Sequence, residues 1–220
     1  IIIPSRLSAS RLPGKPLLKI NGISIISHVF KRAQEANIGD VVIATEDQEI
    51  VDDVVKNGGR AILTSRNHKT GTDRIFEAFQ KIELEDVDLI MNLQGDEPQI
   101  NIEDIICLNK KMASGKYEIG TLAAKIKNFK DLENENVVKV ITKESLDIND
   151  FSQAKNFLRS STEISNIYHH IGIYCYSTKT LKKFVEFNQS KNEIENRLEQ
   201  LRALDNNIVI NVALASSSPI

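Results

Sequence analysis

The fold is decided by residues 41–64, which read VVIATEDQEIVDDVVKNGGRAILT. The apolar run at 41–45 is typical of a strand that is buried on both faces, and 47–57 carries apolar side chains at helical spacing. A pair of glycines ends this helix, and a second apolar run follows at 60–64. A strand, a helix and a strand in this order predict a βαβ unit, whose two strands lie parallel in one sheet.

The same alternation extends through the first half of the chain. Residues 1–4 form the end of an apolar strand, and 23–36 repeats apolar side chains at helical spacing. A further helix is predicted at 72–82, followed by a strand at 87–93. These elements predict the α/β class, with a mostly parallel central sheet covered by helices on both faces.

The second half has a different pattern, in which strands dominate. Its predicted elements are strands at 119–126 and 137–142, a polar stretch at 143–166, a strand at 170–176, helices at 178–187 and about 192–204, and a strand at 208–214. We expect the polar stretch to have few apolar anchors. We therefore predict a single domain over residues 1–220, with a β-rich flap at about 119–166 inside it.

Composition excludes several classes of protein. The 220 residues carry a formal net charge of −2, so the chain lacks the broad basic field that holds nucleic acid. No apolar run approaches the roughly 18 residues of a membrane span, and no leader peptide is recognisable; we therefore expect a cytoplasmic protein without membrane insertion. The two cysteines are far apart in sequence, which argues against a disulfide scaffold or a zinc site.

A cation-rich loop follows the first strand. Residues 6–15 read RLSASRLPGK and combine three cations, two hydroxyls and a glycine that allows close backbone approach. An arginine side chain offers several N–H donors in a fixed fork, and a lysine side chain offers a compact positive charge. This combination suits a triphosphate. The spacing is not that of a Walker A motif, and a solvated basic loop is the alternative interpretation.

A second polar motif, QGDEP at 94–98, follows the strand at 87–93. A carboxylate at this position is suited to holding Mg²⁺ against substrate phosphates. The alternative is an ordinary turn capped by an aspartate. Because ligands of open α/β sheets bind at the carboxyl ends of the strands, we expect the two motifs to meet in space.

Taken together, these and other motifs closely resemble the CMP-Kdo synthetases, the cytidylyltransferases of 3-deoxy-manno-octulosonate (Kdo). The motifs are IIPSRLSASRLPGKPLLKING at 2–22, ATED at 44–47, HKTGTDR at 68–74, NLQGDEP at 92–98, VVKVI at 137–141, HIGIYCY at 170–176 and LEQLRAL at 198–204. The resemblance runs from residue 1 to about 215 and keeps the order of the motifs.

The resemblance implies a Rossmann-like nucleotide-diphospho-sugar transferase fold and a homodimer. It also implies the transfer of CMP from CTP to the anomeric hydroxyl of Kdo, with Mg²⁺ as cofactor. The products are CMP-Kdo, which serves lipopolysaccharide synthesis, and pyrophosphate.

The resemblance also implies roles for individual residues. The catalytic set is Arg6, Arg11, Lys15 and Asp96, of which Asp96 is the metal ligand. The nucleotide-binding set is Arg6, Ser10, Arg11, Lys15, Arg74 and Gln94. The sugar-binding set is Gln94, His170, Tyr174, Glu199 and Gln200.

Departures from the family pattern keep two alternatives open. Gln153 stands where the family typically has arginine, and 155–157 replaces the family's Trp-Asp-Arg element. The chain also stops at Ile220, before the family's Asp-Thr pair, and we expect both ends to be trimmed. The alternatives are a cytidylyltransferase for another acidic 2-keto sugar, such as amino-Kdo or a nonulosonate, and a catalytically silent nucleotide-binding protein. A dinucleotide-dependent dehydrogenase is disfavoured, because no GxGxxG follows the first strand.

Overall fold

The computed structural model describes residues 1–8, 12–82, 86–147, 150–162 and 165–216. It divides into two compact units, residues 1–106 and 107–220. The assignment of the whole chain to a single domain, with a flap at about 119–166, stays a prediction. Within the described ranges, no helix has both the length and the hydropathy needed to cross a bilayer.

The first unit is built around parallel strands. Its elements are β1 (Ile2–Ser5), β2 (Lys19–Ile20), β3 (Ile23–Ser24), α1 (Ile25–Glu35), β4 (Val42–Thr45), α2 (Gln48–Lys56), β5 (Ala61–Leu63), α3 (Gly71–Ile82) and β6 (Leu89–Asn92). The spatial order is β5-β4-β1-β6, and every described pairing among these four strands is parallel. This confirms the βαβ pattern that residues 41–64 predict.

Local chemistry explains where the first helix begins. The sequence pattern predicts a helix from residue 23, but Ile23–Ser24 pairs with Lys19–Ile20 as a short antiparallel ribbon, and α1 begins only at Ile25. The Ser24 hydroxyl accepts a hydrogen bond from the Ser27 amide at 3.2 Å, which satisfies an amide that the first helical turn leaves unpaired.

The sequence analysis missed one helix, α4 (Ile102–Ala113). Three of its apolar side chains are fully buried, those of Ile105, Leu108 and Met112. Their spacing of three and four residues is the signal that would have found it.

The second unit has a mixed sheet with mostly antiparallel pairings. Its elements are β7 (Ile119–Ala124), β8 (Lys139–Thr142), β9 (Ser152–Leu158), β10 (Ile167–Ser177), α5 (Thr178–Glu186), α6 (Lys191–Asn196), α7 (Leu201–Asp205) and β11 (Ile210–Leu214). The spatial order is β10-β7-β11-β9-β8, and β8 also pairs with β10, so the sheet curls back on itself. Among the strand pairings that the structure describes in this unit, only that of β11 with β7 is parallel.

Two expectations for this half are wrong. The stretch at 143–166 is not poor in apolar anchors, because Leu146, Ala154 and Phe157 are buried and β9 runs through it. The helix expected over 192–204 is two short helices. They are separated at Arg197, whose φ of 53° is the left-handed conformation that ends a helix.

Candidate active site

The carboxyl ends of the parallel strands bring the two polar motifs of the first unit together. Gly95 lies directly against the end of β1, because a Cβ added to it would stand 2.9 Å from the Pro4 carbonyl oxygen. Only glycine permits this approach. The loop that follows β1 and the turn that follows β6 are therefore neighbours, which confirms the expectation drawn from the topology of open sheets.

Backbone hydrogen bonds close the cation-rich loop. The Leu7 amide donates to Asp47 Oδ2 at 2.7 Å, and the Gly14 amide donates to the Leu7 carbonyl at 3.0 Å. Gly14 has a φ of 72°, which favours glycine, and the turn passes directly into a 3₁₀ helix over Lys15–Leu17. Asp47, in the ATED motif, therefore anchors the loop. Arg6 is exposed, whereas Ser10 and Arg11 lie outside the described residues.

The central contact of this edge joins one residue from each motif. Lys15 Nζ donates to Asp96 Oδ2 at 2.8 Å, and the two side chains are 32% and 47% exposed. An ion pair this exposed contributes little to stability, typically less than about 1 kcal/mol. Its partners are therefore easily exchanged for the charges of a substrate and a cation.

The two neighbours of Asp96 in the same turn differ in environment. Gln94 is exposed, whereas Glu97 is partly buried. Burial raises the pKa of Glu97, the charge of Asp96 raises it further, and Lys15 opposes both. The turn thus places one partly buried carboxyl group, that of Glu97, close to the exposed Asp96.

The donor set at this edge fits a particular kind of metal site. Among the residues that the structure describes, no group of three or more His, Cys, Asp or Glu side chains is placed to hold a metal ion. An exposed carboxylate such as Asp96 instead suits Mg²⁺, which commonly binds through one or two carboxylates, water and substrate phosphates. The residues therefore fit a Mg²⁺ that binds together with the phosphates of a substrate.

Arg74 is buried, and its guanidinium is engaged within the chain. It donates to Thr64 Oγ1 at 2.6 Å and to the Ser65 carbonyl at 3.2 Å, and it pairs with Glu46. These contacts tie the chain just beyond β4 to the chain just beyond β5. The nucleotide role of Arg74 stays a prediction. Glu46 is a partner that the sequence analysis missed, although its place in the ATED motif was a usable signal.

In the second unit, the predicted sugar-binding residues begin with a buried, neutral histidine. His170 Nε2 lies 3.0 Å from Thr121 Oγ1, and this hydroxyl donates to the Ile173 carbonyl at 2.6 Å. Because the hydroxyl proton goes to that carbonyl, His170 carries its own proton on Nε2. Burial, assisted by the nearby His169, lowers the pKa of His170 to about 3.

An aromatic row continues from this histidine. Its ring centroids are separated by 5.1 Å for Phe157 and His170, 5.4 Å for His170 and Tyr174, 6.0 Å for Tyr174 and Tyr176, and 6.1 Å for Tyr176 and Phe184. The Tyr174 hydroxyl is buried and makes no hydrogen bond to the described residues. Burial, with Tyr176 and Glu199 nearby, raises the pKa of Tyr174 well above its usual value. The structure thus brings His170, Tyr174 and Glu199 together.

A buried ion pair holds the turn that carries Glu199 and Gln200. Arg202 donates from Nε to Glu193 Oε2 at 2.8 Å and from its terminal nitrogen to Oε1 at 2.6 Å. The guanidinium carbon also lies 4.7 Å from the centroid of the Phe184 ring. This bidentate geometry fixes the start of α7, where Gln200 is the N-cap residue.

Gln153 does not join this group. Residues that lie opposite one another on paired strands point to the same face of the sheet. Ser152 on β9 lies opposite Val212 on β11, and Val212 lies opposite Thr121 on β7. Thr121 in turn lies opposite Tyr174 on β10, so all four side chains share one face. Gln153 therefore points to the other face, where it is exposed and its Oε1 accepts a hydrogen bond from Lys143 Nζ at 2.5 Å. Within this unit, Gln153 and Tyr174 therefore lie on opposite faces of the sheet.

Arg159, which directly follows β9, is also engaged in contacts within this unit. Its guanidinium donates to the carbonyls of Glu135, Asn196 and Arg197 at 2.7 to 3.0 Å. These contacts tie the end of β9 to the turn after α6.

Comparison with known proteins gives a consistent result. A family model described as cytidylyltransferase matches residues 1–210. The 3-deoxy-manno-octulosonate cytidylyltransferase of Afipia carboxidovorans is 41% identical, over 100% of this chain and 90% of that protein. The enzyme of the same name from Rhodopseudomonas palustris is 40% identical over the same shares.

A solved structure supports the same assignment. It is that of CMP:2-keto-3-deoxy-manno-octonic acid synthetase complexed with CTP, with a TM-score of 0.86 and 34% identity, covering 100% of this chain and 91% of that one. The fold is therefore that of the nucleotide-diphospho-sugar transferases, as the resemblance implied. The chain belongs to the cytidylyltransferase family, and within it to the 3-deoxy-manno-octulosonate cytidylyltransferases.

Proposed function

We propose that this chain transfers CMP from CTP to the anomeric hydroxyl of 3-deoxy-manno-octulosonate and releases pyrophosphate. The observation that carries the proposal is the 2.8 Å contact between Lys15 Nζ and Asp96 Oδ2. It joins a cation that suits phosphate and a carboxylate that suits Mg²⁺ at the carboxyl edge of a parallel sheet, in a chain that belongs to this family.

The proposed role of the first-unit residues is to stabilise negative charge during the transfer. The anomeric oxygen forms a bond to the α-phosphorus while the bond between the α-phosphorus and the departing pyrophosphate breaks. Both substrates are anionic, so Arg6 and Lys15 offset their repulsion and stabilise charge on the departing group. Ser10, Arg11, Arg74 and Gln94 complete the predicted nucleotide set.

Magnesium is part of the proposal. Asp96 would hold it, and the ion when bound supplies Lewis acidity that stabilises negative charge on the phosphates. When Lys15 turns to the triphosphate, it leaves the Asp96 carboxylate without its cation. The exchange therefore favours binding of CTP and Mg²⁺ together.

The proposed role of the second-unit residues is to recognise the sugar. His170 carries an Nε2 proton that Thr121 fixes, so its Nδ1 atom is an acceptor for a sugar hydroxyl. The Tyr174 hydroxyl, buried without a partner among the described residues, is a donor and acceptor of the same kind. Glu199 and Gln200 add further polar groups for a polyhydroxylated substrate.

A second candidate is transfer to another acidic 2-keto sugar. The specific observation that favours it is the departure from the family pattern at Gln153 and at 155–157, which lie in β9 of the second unit. We propose in addition a homodimer working in the cytoplasm for lipopolysaccharide synthesis, on the strength of the family resemblance. Light scattering of the purified protein tests the dimer.

One assay tests the proposed reaction. Pyrophosphate release is measured with CTP, Mg²⁺ and a panel of acids containing Kdo, its amino analogue and a nonulosonate. The proposal predicts the highest kcat/KM with Kdo, and no release when CTP is replaced by ATP. Preference for another acid favours the second candidate, and no release with any acid contradicts both.

A further inference from the structure

Ser5 carries a buried hydroxyl that no described residue satisfies. The residue is only 7% exposed, and its Oγ has no hydrogen-bond partner in the described part of the chain. Ser5 was not among the site residues that the sequence predicted. A buried hydroxyl without a partner destabilises the folded chain relative to alanine, because its hydrogen bonds to water are lost and not replaced.

This hydroxyl lies at the centre of the carboxyl edge of the first unit. Ser5 is the last residue of β1, which pairs with β4 on one side and β6 on the other. The strand neighbour of Ser5 is Thr45, whose own hydroxyl accepts a hydrogen bond from the Asp47 amide at 3.1 Å. The turn containing Gly95 lies against the preceding residue, Pro4.

Ser5 therefore lies close to residues of the predicted nucleotide-binding set. Arg6 follows it directly, and the loop that begins there ends at Lys15, in contact with Asp96. Glu46, the partner of Arg74, follows the strand neighbour of Ser5. Ser5 thus directly precedes the loop that carries Arg6 and Lys15, and its strand neighbour directly precedes the partner of Arg74.

We propose that the Ser5 hydroxyl forms a hydrogen bond to the polar edge of the cytosine base of CTP and contributes to nucleotide selection. The inference rests on the proposed function. The charged phosphates are matched by the cations Arg6 and Lys15, whereas a buried neutral hydroxyl suits a neutral polar group. A hydroxyl both donates and accepts, so it can pair with a ring nitrogen, a carbonyl or an amino group of the base.

The test compares wild-type protein with Ser5→Ala by calorimetric titration and thermal melting. The variant is expected to bind CTP about tenfold more weakly, since it loses one hydrogen bond to the ligand. Its binding of inorganic triphosphate is expected to be unchanged. Its melting temperature without ligand is expected to equal or exceed that of the wild type, because a buried hydroxyl without a partner has been removed.

Ser27→Ala is the matched control. Ser27 is also a buried serine, but its hydroxyl donates to Asp53 Oδ2 at 3.0 Å. This variant should melt at a lower temperature and bind CTP as the wild type does. The opposite signs of the two melting shifts separate a ligand-binding hydroxyl from a structural one.

Three results overturn the inference. One is unchanged CTP affinity in Ser5→Ala, and another is a lowered melting temperature, which would reveal a partner for the hydroxyl within the chain. The third is equal weakening of triphosphate binding, which would assign the hydroxyl to the phosphates. Failure of the wild-type protein to bind CTP at all is a different outcome, because it contradicts the proposed function itself.

Discussion

The predicted nucleotide residues and the predicted sugar residues lie in contrasting environments. In residues 1–106, Lys15 and Asp96 form an exposed ion pair that water and solutes can reach. In residues 107–220, His170 and Tyr174 are buried, neutral and stacked in an aromatic row. The contrast teaches that, under the proposed roles, the charged groups lie where substrate charges can replace their partners, whereas the groups that recognise the sugar are already packed in place. Changes in the first unit should therefore affect turnover, and changes in the second should affect the choice of sugar.

The largest effect is expected from Asp96→Asn. The substitution keeps the shape of the side chain but removes the charge that is proposed to hold Mg²⁺, so kcat should fall by roughly a thousandfold. Steady-state kinetics over a Mg²⁺ titration measure it. Asp52→Asn, on the exposed surface of α2, is the matched control and should leave kcat unchanged. Full activity with an unaltered Mg²⁺ dependence would mean that Asp96 is an ordinary turn residue.

Lys15→Ala should have the next largest effect. Loss of a cation that stabilises charge on the phosphates should lower kcat/KM for CTP by about a hundredfold. The melting temperature should hardly change, since the ion pair is exposed. Lys19→Ala, four residues along the chain and also exposed, is the control. Near-normal turnover of the Lys15 variant would support the interpretation of this segment as a solvated basic loop.

In the second unit, Tyr174→Phe tests recognition of the sugar. Removing its buried hydroxyl should raise KM for Kdo about tenfold and leave KM for CTP unchanged. Tyr168→Phe is a control on the same strand, because the Tyr168 hydroxyl accepts a hydrogen bond from the Leu146 amide at 2.8 Å. This control should lose stability and keep both KM values. An effect of Tyr174→Phe on CTP alone would contradict the division of roles.

Acid should weaken the second unit before the first. The pKa of His170 is lowered from 6.5 to about 3, so between these values the unfolded chain binds a proton that the folded chain does not. The free energy of unfolding should fall by up to about 1.4 kcal/mol per pH unit as the pH drops below about 6.5.

In the first unit, Glu77 provides the contrast. Burial raises its pKa, but hydrogen bonds from Lys81, His68 and the Ser65 amide outweigh burial and lower the pKa to about 2. Its contribution to stability is present above pH 4.5 and is lost only below that value. Amide hydrogen exchange at about pH 7 and about pH 5 shows which of the two units loses protection first on acidification. Earlier loss of protection in residues 1–106 would contradict it.

The smallest effect is expected from Gln153→Arg. Because Gln153 faces away from Thr121 and Tyr174, the substitution should change KM for Kdo by less than about threefold, within the usual range for an exposed position. Kinetics with both substrates decide the matter. A large gain in preference for Kdo would show that the side chain reaches the sugar in the working enzyme.

Much of this contrast was predictable from the sequence, and the reasons are specific. The meeting of Lys15 with Asp96 followed from a topological rule, since both motifs come after parallel strands. The face of Gln153 was not predictable, because it depends on the register of β9 against β11, which no local pattern encodes. The pairing of Arg74 with Glu46 joins residues 28 positions apart and likewise depends on the folded chain. The environment of Ser5 is visible only once its neighbours are in place.

Hydrogen exchange with ligands tests the division of roles most directly. Exchange is followed in the protein alone, with saturating CTP and Mg²⁺, and with the product CMP-Kdo. The account predicts that CTP slows exchange around residues 5–17 and 93–98 and leaves 168–176 and 197–202 unchanged, whereas the product slows exchange in all four segments. Protection of 168–176 by CTP alone, or no added protection there by the product, would contradict it.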